Sequence, residues 1–533
     1  MIAQLQQTWR SWFGEKSTLP PPAALPPSTV VVTPTLPPWL TAPRPSLTQL
    51  AQLAPAALPL FVRESTTART YIDLLGPLDW AAFPAHPAGL KRPGPQPAPM
   101  APVVAAWLVK LDKSLKSMGQ LRAELVAHPA LTWALGFALE PSDTYSWGFD
   151  VDRSLPTHRH LNRLLRKLSN AHLQFLLTGT VHLLGQAAPP DVNFGDEICG
   201  DTKHIIAWVR ENNPKEFIKG GRFHKERQPK GDPDCKVGFK ANGNQTSRPA
   251  AASGGDAPTS RGPTLTTDNE PTPTTQGRPA SSDLPKPKDG EYYWGYASGV
   301  VTTTVEGIGD IVLAELTQTF NHADESYFLP LMARTEANLG KKPRFGAWDA
   351  AYDTFYVHEY FTLAGGFAAV PWASRDDQKK TFSPDGLPRC AAGLPMPLRN
   401  RVFRQSRCLV PHEIGRFACP LLFPEKTGEC CPIDHPSWQR EGKDQGCLTT
   451  LPTSVGARAR HELDRASVHF QRLYDQRSAV ERINSQAVAL GIERPHLRNQ
   501  GSITNQNTLI YVLINLRALR RTKEKKVTMQ RNC

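Results

Sequence analysis

A chain of 533 residues exceeds the size of one ordinary domain, so two or three ordered regions joined by linkers are expected. Its 62 Lys and Arg outnumber 49 Asp and Glu for a net charge of +13, which favours a polyanionic partner and puts nucleic acid first. No run approaches the roughly 20 apolar residues of a membrane helix, the opening MIAQLQQTWRSWFGEK lacks a signal-peptide core, and nine cysteines argue against a secreted disulfide framework, so a cytosolic protein with no membrane partner is expected.

Residues 1–102 are dense in Pro and Ala. Runs such as LPPPAALPP and RPGPQPAPM remove backbone donors and fix φ, so this segment is expected to be mostly disordered, with a short helix within 47–60. Residues 103–190 read as a helical domain, because AAWLVKLDKSLKSMGQLRAELVAHP and LNRLLRKLSNAHLQFLLTGTVHLLG carry apolar residues at helical spacing. Between them, DVDRSLPTHRHLNRLLRKL gathers Arg153, His158, Arg159, His160, Arg163, Arg166 and Lys167 at a helix entrance. That suits phosphate contacts, and a solvated basic face is the plainer alternative.

From residue 191 to 521 the period is that of an α/β domain. EICGDTKHIIAWV is a candidate buried strand, and a Ser-, Thr-, Pro- and Gly-rich tract at 245–290 reads as a disordered insertion, too poor in apolar side chains to offset ordering. YYWGYASGVVTTTVE, IVLAELTQTF and RFGAWDAAYD read as strands, with ESYFLPLMARTEANL as a helix before the last. The order predicts a mixed sheet flanked by helices. The Cys-rich segment 390–447 reads as irregular, 458–521 as helical, and 522–533 as a basic tail.

Cutting a phosphodiester and joining its 3′ hydroxyl elsewhere is efficiently done by two divalent ions, and Mg²⁺ or Mn²⁺ asks for a few carboxylates converging from separate elements. Asp201 stands within the first strand among Ile198, Ile205 and Ile206, where an unpaired acid is costly. Asp349 follows Phe345 and Trp348 at the end of a later strand, and Glu481 lies in the last helical region. Asp196 and Asp353 compete with the first two, and Asp353 reads as a cap on the next helix. Tyr474, Arg477 and Glu481 are spaced to share one helix face, where an Arg beside a carboxylate holds a phosphate or orients the acid.

In these residues the chain resembles the DDE transposases of bacterial insertion sequences, over roughly 103–521 without the insertion. In a large branch of that family the last motif reads Tyr, two residues, Arg, three residues, Glu, six residues, Lys. Tyr474, Arg477 and Glu481 match, and Val488 stands where the Lys belongs. DAAYD, from Asp349 to Asp353, matches the family's second acidic motif. The resemblance implies an RNase H-like core and catalysis by Asp201, Asp349 and Glu481 holding Mg²⁺ or Mn²⁺. It implies contacts to DNA from Arg159, Arg163, Arg166, Tyr474 and Arg477. It also implies double-stranded DNA partners, the terminal inverted repeats and the target, bound by a homo-oligomer in the bacterial cytoplasm at the nucleoid. The competing expectations are a binder of the same fold that has lost catalysis, and a nuclease without strand transfer.

Cys419, Cys431, His435 and Cys447 offer four ligands for a tetrahedral Zn²⁺ site, with another cysteine as an alternative, although no tight Cys-x-x-Cys pair is present and partly buried thiols are the plainer reading. His204 reads as a packed histidine. The chain has no Walker phosphate loop, Rossmann glycine set or serine nucleophile elbow.

Overall fold

The computed structural model describes residues 37–41, 43–83, 99–241, 290–373 and 379–532, apart from 407, 434, 436, 437, 441 and 442. The insertion at 245–290 lies outside the described residues except for Gly290, as do 1–36 and 84–98 of the Pro-rich segment.

The helical region begins earlier than its periodicity indicates. Ser46 caps α1 (Leu47–Gln52) in a reciprocal box with Gln49, and Ser65 caps α2 (Thr66–Leu75). Leu47, Leu50, Tyr71, Ile72 and Leu75 are buried in one core with α3 (Met100–Asp112), α4 (Met118–Ala127), α5 (His158–Lys167) and α6 (Asn170–Ala187). Here Pro sets breaks between short helices, as its missing N–H allows at helix starts, instead of keeping the chain extended.

The main sheet contains β1 (Glu197–Ile206), β2 (Lys236–Ala241), β3 (Gly290–Val305), β4 (Gly309–Thr319), β5 (Phe345–Ala347) and β6 (Phe367–Ala369). Long β3 runs antiparallel to β1 along one edge and to β2 and β4, end to end, along the other, whereas β1, β5 and β6 are mutually parallel neighbours in that order. The fold class is therefore α/β with a mixed sheet, as expected. α7 (Phe328–Leu339) packs on β3 and β4, and α8 (Phe355–Leu363) on β6. The segment 390–447 is less irregular than its composition indicates. It contributes β7 (Leu398–Arg404) and β8 (His412–Ala418), which with β9 (Leu448–Pro452) form a separate antiparallel sheet in the order β9-β8-β7.

The carboxyl-terminal helices are α9 (Val455–Glu462), α10 (Val468–Asp475), α11 (Ser478–Ala489) and α12 (Gln500–Asn532). α12 runs through the middle of the molecule, burying Ile503, Leu509, Ile510, Tyr511, Leu513 and Leu516 in the core shared by the amino-terminal helices and the sheet. Its polar side chains tie both sides. Asn505 Nδ2 donates to the Leu165 and Leu168 carbonyls at the end of α5, at 2.7 and 2.8 Å, while Asn515 exchanges two bonds with the Val312 backbone of β4, at 2.8 and 2.9 Å. Between these, the fully buried carboxylate of Glu315 accepts from Thr508 and from Gln174 Nε2 (2.7 Å). Each of these buried polar groups has a partner, so the network stiffens the core, although burial still outweighs the hydrogen bonds at Glu315 and raises its carboxyl. The helical region and the sheet thus share one continuous core across residue 190.

Candidate acidic site at the carboxyl ends of the parallel strands

Strand register places the first two acids. Cys199 of β1 is opposite Ala347 of β5 in a parallel pair, and each acid comes two residues later, so Asp201 and Asp349 stand at one level on adjacent strands whose spacing is about 4.8 Å. The approach is close because Gly200 has no side chain: a Cβ there would lie 2.1 Å from the Trp348 ring. Asp349 also caps the turn that follows, its Oδ1 accepting from Ala351 N at 3.0 Å. Thr202 N donates to Asp201 Oδ1 at 2.9 Å.

The competitors are occupied elsewhere. Asp196 forms a forked ion pair with Arg344, at 2.7–3.2 Å. Asp353 is not the expected helix cap; Thr354 takes that place, and the Asp353 side chain is buried among His358, Arg460 and Arg465.

A third partly buried carboxylate, which the sequence reading missed, lies near the first two. Asp324 begins a 3₁₀ turn after β4, Asp324–Tyr327, that packs on the turn Ala350–Tyr352, and it accepts from Thr202 Oγ1 at 2.6 Å. In the sequence NHADESYF it looks like an ordinary turn acid. Burial, together with the neighbouring Asp349 and Asp324 charges, pushes the Asp201 carboxyl from its ordinary 3.8 up to about 7 against the opposing pull of Arg477. Burial and Asp324 likewise push Asp349 up, again against Arg477.

Arg477 is the cation within reach of Asp201, Asp349 and Glu481. The expectation that Tyr474, Arg477 and Glu481 share one helix face needs correcting, because α10 ends at Asp475 and α11 starts at Ser478, leaving Arg477 in the joint as the α11 N-cap. Glu481 sits in the first turn of α11, where the helix dipole favours an acid, and pairs with Arg477 at 3.2 Å. Its side chain is 63% exposed, so it lies at the rim while the three aspartates lie deeper. Val488 is exposed in the last turn of α11.

The donor set suits a hard divalent cation, being all oxygen and net negative with one Arg in opposition. Among the described residues, however, no three His, Cys, Asp or Glu side chains stand close enough to enclose one ion. Like charges at adjacent strand ends repel, so an added cation would relieve what Arg477 alone does not.

A pH experiment reads this strain directly. Because the folded chain holds the Asp201 proton more tightly than the unfolded chain, Asp201 costs stability as pH rises from about 4 to about 7. In chelator, Asp201→Asn is expected to melt above wild type at pH 8, the gain shrinking towards pH 4. Parallel melting profiles for the two proteins across that range would refute the assignment.

Away from this site, Arg159, Arg163 and Arg166 are exposed on α5, which buries Leu161 and Leu165 against α12 and α4. His204 packs on Phe320, ring centroids 4.5 Å apart, and burial lowers it to about 4, so it stays a neutral packed residue. Of the four residues named as candidate zinc ligands, Cys419 and Cys447 come together. Continuing the β8–β9 register beyond Ala418 and Leu448 puts Cys419 opposite Cys447, and the Cys447 thiol shares hydrogen bonds with Cys419 and Cys390. Cys390 lies beside this pair.

Comparisons with protein-family models, with curated proteins and with solved structures find no match to this chain.

Proposed function

We propose that the chain is a DDE transposase of a bacterial insertion sequence, which cuts DNA at its element's ends and joins the freed 3′ hydroxyl to target DNA. The observation that carries this reading is the placing of Asp201, midway along β1, beside Asp349, just past the end of the parallel neighbour β5, with Arg477 near both and paired with Glu481. A mixed sheet whose acid-bearing β1 lies between an antiparallel and a parallel neighbour is compatible with an RNase H-like core.

Asp201, Asp349 and Glu481 would hold Mg²⁺ or Mn²⁺, which when bound activates the attacking oxygen and stabilises the leaving one. The chain's own groups do the rest. Arg477 offers a cation to the scissile phosphate, and Tyr474 packs beside it with its ring stacked on Phe470. Exposed Arg159, Arg163 and Arg166 grip the terminal repeats through phosphates. Among the described residues no helix is long and apolar enough to cross a membrane; on this reading the chain works as a homo-oligomer on DNA in the cytoplasm.

The test uses the full chain and a supercoiled plasmid carrying the DNA that flanks its reading frame on both sides. Strand cuts ending in 3′ hydroxyls are expected with Mg²⁺ or Mn²⁺ and are expected to vanish in chelator. Replacing Arg159, Arg163 and Arg166 by Ala should flatten the salt dependence of binding by about 0.9 in log–log slope per lost contact. Binding without cutting in either metal would transfer the protein to the second reading, an inactive DNA binder, which Val488 in place of the family's Lys favours.

A further inference from the structure

We propose that Phe217 is a wedge that inserts between base pairs of duplex DNA, carried on a tethered basic loop at the carboxyl end of β1. The inference rests on the enzyme reading above and goes beyond it, because every motif behind that reading lies outside this loop.

The loop runs over 207–231, between β1 and β2, and holds seven Lys and Arg against three Glu. Glu216 is already paired with Arg210 at 2.9 Å, and the remaining excess of cations favours a polyanion. The root of the loop is clamped to β3. Asn212 Nδ2 donates to the Ala207 and Trp294 carbonyls at 2.8 and 2.7 Å, and its Oδ1 accepts from Trp294 N at 2.9 Å. The middle is clamped by Arg222, whose guanidinium donates to the carbonyls of Glu211, Asn213 and Glu216 while its own carbonyl accepts from buried Trp294 Nε1 at 3.0 Å. The backbone is therefore fastened up to residue 216, and the next side chain is Phe217.

Phe217 is 87% exposed between Lys215 and Lys219, which are exposed as well. A single apolar side chain at a surface is ordinary. This one differs in being held out by a hydrogen-bonded backbone, with a cation two residues to either side. Trp208, also exposed at the root, has its ring covered by His496, stacked at 5.4 Å, and by the Arg498 guanidinium at 4.8 Å, so Phe217 is the ring left free. An apolar side chain flanked by cations is the form of the wedges that part a base step while the phosphates on each side are held. The loop leaves β1 roughly 17 Å along the strand from Asp201, towards the end of the sheet beyond which Asp349 lies, a span of about five base pairs. One duplex can therefore meet both the acids and the root of the loop.

DNA bending, read from the gel mobility of circularly permuted fragments of the DNA flanking the reading frame, tests this with the full chain in chelator, where nothing is cut. Wild type is expected to bend the duplex by about 20° or more. Phe217→Ala is expected to lose most of that bend and to weaken binding several-fold, while Phe217→Trp keeps both. Because the side chain is exposed, thermal melting of either variant should match wild type. Binding with an equal bend in wild type and Phe217→Ala, or with none in either, overturns the wedge and leaves the enzyme reading standing. Co-sedimentation of wild type with phosphatidylglycerol vesicles, lost in Phe217→Ala while the bend is unchanged, overturns it in favour of a membrane surface. If wild type binds no duplex, the enzyme reading falls and the wedge with it.

Discussion

Asp201→Asn is expected to lower strand cleavage by about 100- to 1,000-fold or more while leaving DNA affinity within a small factor of wild type. Asn is nearly isosteric, so Thr202 keeps a partner for its N–H and the strand pairing of β1 is untouched. What disappears is the charge that a divalent ion needs and that burial already makes hard to sustain. On the proposed reading DNA affinity is set elsewhere, on the exposed arginines of α5. Glu481→Gln is expected to behave similarly in cutting, although its exposed rim position makes it the milder change for folding. Paired measurements of cutting and binding on one duplex decide the matter. Full cleavage by Asp201→Asn would end the catalytic claim, and loss of binding together with cleavage would mean that the substitution had damaged the fold.

Asp353→Ala is expected to destabilise the chain by about 3–5 kcal/mol, the cost of stranding buried cations. The Asp353 side chain is completely buried and accepts from Arg460 Nε (2.8 Å) and Nη2 (2.7 Å), His358 (3.1 Å) and Ala373 N (3.1 Å), with Arg465 at 3.5 Å. Arg465 in turn lies 3.7 Å over the Trp372 ring. Burial alone would push the carboxyl up, but the hydrogen bonds from His358 and Arg460 and the Arg460 charge hold it well below the ordinary carboxylate range. A depressed carboxyl gives stability that is complete above its unfolded pKa and is lost as pH falls, here below about 4. Denaturant unfolding near neutrality and at pH 3 should therefore show a large gap between wild type and Asp353→Ala that narrows in acid. A gap under about 1 kcal/mol near neutrality would show that the cluster is only a surface-like set of ion pairs.

Much of the acid site was legible in the sequence, because an Asp inside an apolar strand run is a costly placement that asks for a reason, and Asp201 and Asp349 both sit in such runs. Asp324 was not legible, since its neighbours are polar and its partial burial arises only when the turn after β4 folds over Thr202 of β1 and the 350–352 turn. Asp353 was misread for the opposite cause. Just before a helical run an acid usually caps, and nothing local announces two arginines about a hundred residues later. The helix pair α10 and α11 carries one periodic pattern across a break, so Tyr474, Arg477 and Glu481 read as one face although the chain bends between them. The Pro-rich start misled because Pro density argues against long helices, whereas α1 and α2 are short and take their stability from the shared core.

The bonds that the first half of α12 makes at Asn505 and Asn515 turn it into a strut. Asn505 is fastened to the end of α5 and Asn515 to β4, the strand that runs on towards Asp324, with a packed apolar stretch between them. A polyanion gripped by α5 is consequently held at a fixed offset from the acids, with no hinge in between to take up slack. Alignment of a duplex over the acids would then have to come from bending of the DNA, or from a second copy of the chain, rather than from a swinging arm.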